Sequence, residues 1–136
     1  MVNQPPDCTK AVASPSKRNN RNGSFRSVLV KGVTDPDGDT IKIKVTRIYQ
    51  DEPVMTSRDG TCPDATISTT GKAQVRAERA SGTTSVPGNG RFYHLNFTAS
   101  DGRGGTCTGL VKVSVRRGNN VAIDDGPDYD STGCPT

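Results

Sequence analysis

Hydrophobic side chains recur at every second residue in several short segments of this chain. The segment 40–48 shows the pattern most clearly, because Ile41, Ile43 and Val45 alternate there with lysine and threonine. A period of two is typical of a half-buried β-strand, whereas an amphipathic helix repeats every 3.6 residues. No window shows the helical period, and 15 glycines and 9 prolines interrupt the chain. The alternation therefore predicts an all-β fold.

Strong and weak forms of this pattern, with turn residues between them, predict about seven strands. The strands are expected at 9–13, 24–33, 40–48, 65–68, 73–78, 91–99 and 108–116. Their number and spacing are typical of an Ig-like antiparallel β-sandwich. A length of 136 residues suits one such domain. We expect the sandwich to occupy residues 1–117, followed by an acidic tail at 118–136 for which we predict no regular structure.

The chain has few residues with which to build a core, since hydrophobic residues make up 30% of it. Small domains with weak cores are commonly stabilised by disulfides in oxidising compartments. The four cysteines are widely spaced, without the C-x-x-C pairs of a zinc site, and indicate two disulfides. They favour a secreted or cell-surface location. Because the first residues do not form a secretory signal, we expect the signal and any neighbouring domains to be missing from this sequence.

Four cysteines can pair in three ways, and the predicted topology favours one of them. Cys8 and Cys107 each begin a strand, so both should lie at the end of the sandwich that carries the loop 34–40, here called the first end. Cys62 and Cys134 follow strands that finish at the opposite end, here called the second end. Topology thus favours Cys8–Cys107 with Cys62–Cys134, and the second bridge would tie the tail to the sandwich.

Three carboxylates, of Asp35, Asp37 and Asp39, lie close together in the loop 34–40. Asp101, in the loop between the last two strands, should reach the same end of the sandwich. Calcium takes six to eight oxygen ligands, carboxylates among them, so the four aspartates are a predicted Ca²⁺ site. The alternative is an ordinary turn, because Asp, Pro and Gly are the commonest turn residues.

A second set of acids lies at the second end. Asp51 and Glu52 follow one strand, and Glu78 ends another. These three could form a second cation site. The alternative is that they form ion pairs with arginines of the neighbouring strands.

Positive charge is concentrated in the body of the chain. Lys and Arg total 18 against 14 Asp and Glu, and four of the acids lie in the tail. The stretch 16–23 is basic and predicted as a loop, and a polyanion contact could use Lys17, Arg18, Arg21 and Arg26. The alternative is that these charges only solvate the surface. Since Phe25 is the one aromatic residue among them, nucleic acid is not an expected partner.

Catalytic and membrane functions find no support in the sequence. His94 is the one histidine and alternates with Leu95, which predicts an exposed position on the outer face of its strand. Neither a G-x-S-x-G nor an H-E-x-x-H motif is present. No apolar run approaches the roughly 18 residues of a membrane helix. We expect a protein that is not an enzyme and does not insert into a membrane.

An ordered set of motifs runs through the chain and resembles a known family. It comprises Pro5-Pro-Asp-Cys8, Gly32-Val-Thr-Asp-Pro-Asp-Gly-Asp39, Gln50-Asp-Glu-Pro-Val54, Cys62-Pro-Asp-Ala65, Val75-Arg-Ala-Glu-Arg79, Phe97-Thr-Ala-Ser-Asp-Gly-Arg-Gly-Gly105 and Cys107-Thr-Gly109. The set resembles Ig-like and cadherin-like modules, including polycystic-kidney-disease-like repeats, of large secreted and surface-attached bacterial proteins.

The resemblance implies a seven-stranded sandwich that serves as a spacer, stalk or adhesion element, often calcium-dependent and without enzymatic activity. It adds support to Ca²⁺ at Asp35, Asp37, Asp39 and Asp101. The basic stretch 16–23 departs from the pattern, which has a Pro/His-containing segment there, so a ligand contact through that segment does not carry over.

We therefore expect an extracellular structural or adhesion module, stabilised by calcium and disulfides, that acts as a stalk, spacer or filament subunit. Its expected partners are neighbouring domains or identical subunits, with a cell-surface or polysaccharide ligand as a further partner. The alternative is a carbohydrate-binding module that stacks sugars on aromatic side chains. The candidates for such stacking are Phe25, Tyr49, Phe92, Tyr93, Phe97 and Tyr129.

Overall fold

Two β-sheets pack against each other in the computed structural model, which describes residues 3–14, 16–19, 25–51, 63–76, 91–116, 124, 126 and 129–133. These residues contain strands and turns but no helix, and hence no helix that could cross a membrane. In chain order the strands are β1 (Val12–Ser14), β2 (Lys17–Asn19), β3 (Phe25–Lys31), β4 (Lys42–Gln50), β5 (Ala65–Ile67), β6 (Ala73–Arg76), β7 (Arg91–Ser100), β8 (Thr106–Arg116) and β9 (Tyr129–Asp130).

The four-stranded sheet has the order β1-β3-β6-β5 and is antiparallel throughout. The five-stranded sheet has the order β2-β8-β7-β4-β9, with the long strands β8, β7 and β4 adjacent to one another. Its strands are antiparallel except for β2, which runs parallel to β8. The arrangement is the predicted all-β sandwich, and all seven predicted strands are present with their ends shifted by a few residues.

The structure contains two strands that the sequence pattern misses. β2 lies inside the basic stretch 16–23, so the prediction of a loop there is wrong for Lys17–Asn19. β9 lies inside the tail, where Tyr129 and Asp130 pair with the end of β4, so the prediction of no regular structure is wrong at that point. Both strands lie at the edges of the five-stranded sheet and are held by backbone hydrogen bonds. Such strands do not need an alternating pattern of side chains.

The core is formed by the inward-facing residues of both sheets. Its largest members are Tyr93, Phe97, Ile48 and Leu95, each at most 1% exposed. The remaining members are small: Ala13, Val28, Val45, Ala65, Ala73, Val75, Ala99, Val111, Val113 and Val115. Because apolar stabilisation scales with buried area, a core made largely of valine and alanine leaves a substantial role for links outside it.

One such link is the disulfide Cys8–Cys107, which the predicted topology favours and the structure confirms. Cys107 belongs to β8 in the five-stranded sheet, and Cys8 precedes β1 in the other sheet. The two Cα atoms are 6.0 Å apart and are separated by 99 positions in the chain. A native disulfide of this kind stabilises a small domain by about 2–5 kcal/mol. Cys62 and Cys134 lie outside the described residues.

At the second end, Ser131 joins the two sheets through its backbone. Its N–H donates to the carbonyl of Ile48 in β4, at 2.9 Å. Its own carbonyl accepts from the N–H groups of Asp64 and Ala65, at 2.9 and 3.0 Å. The residue directly after β9 is therefore hydrogen-bonded to both sheets.

A buried ionic cluster lies beside this link. The Asp64 carboxylate accepts a hydrogen bond from Gln50 Nε2 at 2.9 Å and lies 3.2 Å from Arg91 Nη1. Arg91 Nη1 also donates to the hydroxyl of Tyr93, at 2.9 Å. The four residues are at most 2% exposed. Since an unpaired buried charge is costly, these partners must stay together, and they hold the second end in one arrangement.

The tail also covers His94, which is only 4% exposed, so the prediction of an exposed histidine is wrong. Its Nε2 atom is 2.8 Å from Asp124 Oδ1, and Lys112 Nζ donates to Asp124 Oδ2 at 2.8 Å. Burial raises the pKa of the Asp124 carboxyl, but hydrogen bonds from Lys112 and the Gly126 N–H outweigh it and lower that pKa. His94 does face outward as the alternation predicts, and Asp124 of the tail lies against it there.

Candidate metal centre

The loop between β3 and β4 folds around the side chain of Asp35. Asp35 Oδ1 accepts hydrogen bonds from the N–H groups of Asp37 and Asp39, at 2.8 and 3.3 Å. The Asp35 carbonyl accepts from the N–H of Gly38 at 3.0 Å, and Gly38 has a φ of 75°, which glycine adopts without strain. The sequence Asp-Pro-Asp-Gly-Asp thus forms a tight turn that brings its three carboxylates together.

The carboxylates of Asp35, Asp37 and Asp39 form one group, here called the aspartate trio. Each offers one oxygen such that the three oxygens lie within 4.8 Å of one another. Asp35 Oδ2 and Asp39 Oδ2 are buried and have no hydrogen-bond partner in the described part of the chain. Buried carboxylate oxygens without a partner are unfavourable. A bound cation would remove that cost.

Two neighbours compensate part of the charge of the trio. Arg103 Nε lies 3.1 Å from Asp39 Oδ1, although the arginine side chain is 70% exposed. The backbone N–H of Gln4 donates to Asp37 Oδ2 at 2.7 Å. These contacts use one oxygen of Asp39 and one of Asp37. Asp35 Oδ2 and Asp39 Oδ2 still have no hydrogen-bond partner among the described residues.

The geometry of the trio fits a calcium ion. Ca²⁺–oxygen distances are about 2.3–2.6 Å, so oxygens around one ion are separated by no more than about 5 Å. The 4.8 Å limit of the trio satisfies this requirement. Three carboxylates do not fill six to eight positions, and backbone carbonyls and water would supply the others.

Asp101 is at the first end, as predicted, but its carboxylate is used within its own loop. Oδ1 accepts from the N–H groups of Arg103 and Gly105, at 2.7 and 3.0 Å, and Oδ2 accepts from Asn3 Nδ2 at 2.8 Å. A Cβ atom at Gly105 would collide with this carboxylate and lie 2.9 Å from Pro5 Cα. The structure does not group Asp101 with the aspartate trio.

The hydrogen bonds around Asp101 also affect its ionisation. The Asn3 side chain and then the Arg103 N–H lower the pKa of the Asp101 carboxyl below its ordinary value. Asp101 is 5% exposed. The residue is thus a structural carboxylate that shapes the loop 101–105 and fixes the N-terminal residues against it.

The N-terminal segment, residues 3–8, is part of this end, and the sequence pattern does not reveal it. Besides the contacts of Asn3 and Gln4, Asp7 forms a β-bridge with Thr34, at the start of the Asp-rich loop. No motif indicates these contacts, since two of the three, those of Gln4 and Asp7, use backbone atoms of the segment. Arg103 is likewise missed, although a basic residue in a loop facing the trio could have been suspected from topology.

The second predicted cation site is only partly within the described residues. Asp51 is 7% exposed, and its Oδ1 accepts a hydrogen bond from the backbone N–H of Phe92 at 2.9 Å. This contact prolongs the pairing of β4 with β7. Glu52 and Glu78 lie outside the described residues, so the site remains an expectation.

The predicted polyanion contact is divided between the two sheets. Lys17 and Arg18 belong to β2 in the five-stranded sheet, whereas Arg26 belongs to β3 in the four-stranded sheet and is exposed. Arg21 lies outside the described residues. The strands that carry these residues are therefore not neighbours in one sheet.

Comparisons with known proteins concern the fold. A family model described as a bacterial Ig domain matches residues 3–114. A search of curated proteins finds no match. Among solved structures, the chain is similar to a nucleoside hydrolase-related hypothetical protein from Saccharophagus degradans, described as associated with carbohydrate metabolism. The identity is 20% and the TM-score 0.43, over 85% of this chain and 26% of that one. The chain thus spans about a quarter of that protein, and so distant a likeness says nothing about activity.

The lowered pKa of Asp101 predicts an acid-sensitive first end. Because the pKa is lower in the folded than in the unfolded chain, the carboxylate contributes stability above the unfolded value of about 3.9. That contribution is lost as the pH falls toward the folded value. In chelator, the melting temperature of Asp101→Asn should therefore fall less between pH 5 and pH 2 than that of the unmodified chain. The Asp130→Asn variant gives the background effect of removing one acid. An equal fall in melting temperature between pH 5 and pH 2 for the unmodified chain and for Asp101→Asn would contradict the stabilising role of the Asp101 carboxylate.

Proposed function

The chain belongs to the bacterial Ig domain family, and on that premise we propose that it is a calcium-stabilised spacer or adhesion module of a secreted or cell-surface protein. The family assignment and the β-sandwich indicate a non-enzymatic structural module. The disulfide fits an extracellular or surface protein, because such bonds persist in oxidising environments.

The observation that supports calcium is the pair of buried Oδ2 atoms of Asp35 and Asp39, which have no hydrogen-bond partner among the described residues. An ordinary turn would expose its carboxylates to water or pair them within the loop. Here the turn is already closed by Asp35 Oδ1, so the remaining oxygens are not needed to hold it. A cation bound there would give these buried oxygens a partner, which supports the proposal.

A cation at the trio would stiffen the N-terminal segment. Gln4 is bound to Asp37, Asp7 is paired with Thr34, and Cys8 is linked to Cys107. Ig-like domains typically sit next to other domains, and a preceding domain would continue from this segment. A cation that orders the Asp-rich loop therefore fixes the direction in which the chain enters the sandwich, as a spacer or stalk requires.

The environment of His94 supports a non-enzymatic role. Its Nε2 atom is occupied by Asp124, which Lys112 also binds. Its Nδ1 atom is buried and has no hydrogen-bond partner among the described residues. A general base must be within hydrogen-bond reach of the proton it removes, and this imidazole is instead covered by the tail.

We infer further that Cys62 and Cys134 form the second disulfide. Cys62 lies two positions before Asp64, and Cys134 lies three positions after Ser131. Asp64 and Ser131 are joined by a backbone hydrogen bond of 2.9 Å. A disulfide requires Cα atoms about 4.4–6.8 Å apart, which these short connections can reach. The bridge would secure the tail that covers His94 and holds the second end.

Calcium binding is tested by thermal unfolding in Ca²⁺ and in EGTA. At a Ca²⁺ concentration about 100-fold above Kd, binding to the native state contributes about 2.7 kcal/mol. A rise in the melting temperature of roughly 5–10 °C should follow. Asp37→Asn with Asp39→Asn should abolish the rise. The matched control is Asp7→Asn with Asp130→Asn, which removes the same charge and should keep it. A full calcium response in the first double variant would show that the trio is not the site.

The pairing of the cysteines is tested by tryptic digestion of the unreduced protein and mass spectrometry. Cleavage after Lys and Arg places each cysteine in its own peptide: 1–10, 59–72, 104–112 and 118–136. We expect peptide 59–72 linked to 118–136, and 1–10 linked to 104–112 as an internal control. Free thiols at Cys62 and Cys134, with the control pair intact, would disprove the second bridge.

A further inference from the structure

The outer face of the five-stranded sheet carries a row of cations. The register of β4 with β7 places Lys42 opposite Ser100, Lys44 opposite Thr98, and Arg47 opposite Asn96. These residues face away from the core, since their neighbours Val45 and Phe97 are buried in it. We call this surface of β4, β7 and β8 the cationic face.

The cations of this row have no acidic partner in the described part of the chain. Lys42, Lys44 and Arg47 are exposed, and none of them forms an ion pair with a described residue. Among the described residues, two acids lie at this sheet surface. The Asp124 carboxylate is bound to Lys112 and His94, and Asp130 of β9, opposite Tyr49, accepts hydrogen bonds from Thr132. Within the described part of the chain, the row is therefore a strip of positive charge without ion-pair partners.

A groove of about 440 Å³ crosses the same face. Its lining includes Arg47 from β4, Asn96 and Thr98 from β7, and Thr108 and Leu110 from β8. The hydroxyl and amide groups can donate to and accept from sugar hydroxyls. Leu110 is 46% exposed and offers an apolar surface beside them. The combination suits a sugar ring, which has hydroxyls at its rim and C–H groups on its faces.

An irregularity in β4 lies at the groove, because Thr46 and Arg47 line it. The register with β7 shifts between Val45 and Arg47, so that Thr46 is an extra residue opposite Asn96. Such β-bulges re-aim side chains and are frequent at functional sites. Here the bulge places Arg47 at the edge of the groove, next to Asn96. A positive charge thus stands directly beside hydrogen-bonding groups.

We propose that the cationic face binds an acidic polysaccharide, with sugar rings in the groove and carboxylates along Lys42, Lys44 and Arg47. Residues two positions apart on a strand are separated by about 6.6–6.8 Å. The row therefore presents several positive charges, one after another, to a linear polymer that lies along the strand. A single-stranded nucleic acid would require exposed aromatic side chains for base stacking. The aromatic residues of this face, Tyr49 and Phe92, are both half-buried, Tyr49 opposite His94 and Phe92 opposite Ser114. The site is separate from the aspartate trio and does not depend on calcium.

The experiment measures binding of oligogalacturonate to the oxidised chain by calorimetry in EGTA at physiological ionic strength. Neutral dextran and polyuridylate are the comparison ligands. The test variant is Lys44→Gln with Arg47→Gln, which keeps the side-chain stems. The matched control, Lys31→Gln with Lys72→Gln, removes two exposed charges elsewhere. Asn96→Ala removes a groove amide without changing the charge.

Binding of oligogalacturonate with a loss of about 10-fold or more in the test variant supports the proposal, because charge-assisted hydrogen bonds are lost. Asn96→Ala should cost about 2–10-fold, as expected for a neutral hydrogen bond. The control should stay within about twofold of the unmodified chain.

Four results would overturn the proposal: no binding, equal loss in both double variants, equal binding of neutral dextran, or tighter binding of polyuridylate. Melting temperatures of all variants establish that each is folded. Since the measurement is made in chelator, its outcome is independent of the calcium site.

Discussion

The constraint behind this structure is that two β-sheets meet across a core of mostly small side chains. Among the described residues, valine and alanine supply most of that core, and four large apolar side chains are completely buried in it. The links at the two ends of the sandwich are therefore as important as the core for holding the two sheets together. At the first end, Cys8–Cys107 joins the N-terminal segment to β8. At the second end, the Ser131 backbone and the ion pair of Asp64 with Arg91 join strands of both sheets. Each link requires particular atoms to meet at particular positions, whereas apolar contact alone would allow one sheet to slide over the other.

The sequence predicts the sandwich because its long strands must each bury one face, and a buried face produces a period of two. β4, β7 and β8 show this most clearly, and they form the middle of the five-stranded sheet. The alternating pattern does not predict strands that are held by interactions other than the burial of side chains. β2 and β9 are short edge strands held by backbone hydrogen bonds, which every residue type can form. The prediction of an exposed His94 is wrong for a related reason. Alternation gives the direction in which a side chain points, but it does not reveal which distant residues pack against that side chain.

In the candidate site as well, the contacts within one loop could be predicted from the sequence, whereas the contacts between distant segments could not. Asp35, Asp37 and Asp39 are close in sequence, and the turn that groups them follows from Asp, Pro and Gly, so the trio was predictable. Asp101 was correctly placed at the first end, but its loop uses the carboxylate for its own N–H groups. The contacts of Asn3, Gln4 and Arg103 come from distant segments and carry no motif. Topology thus predicts which loops meet, and the local hydrogen bonds decide which carboxylates remain available.

The proposed calcium site implies that a cation at the trio orders the first end, including the N-terminal segment through which a preceding domain would be attached. Native-state hydrogen–deuterium exchange in Ca²⁺ and in EGTA tests it most directly, because exchange reports local opening residue by residue. Amide exchange in Ca²⁺ should be slower at the non-proline residues of 3–8 and 35–39. The amides of 65–67 and 73–76, in the four-stranded sheet, should change much less. Unchanged exchange at residues 3–8 and 35–39, or an equal change throughout the chain, would show that no cation at the trio orders this end.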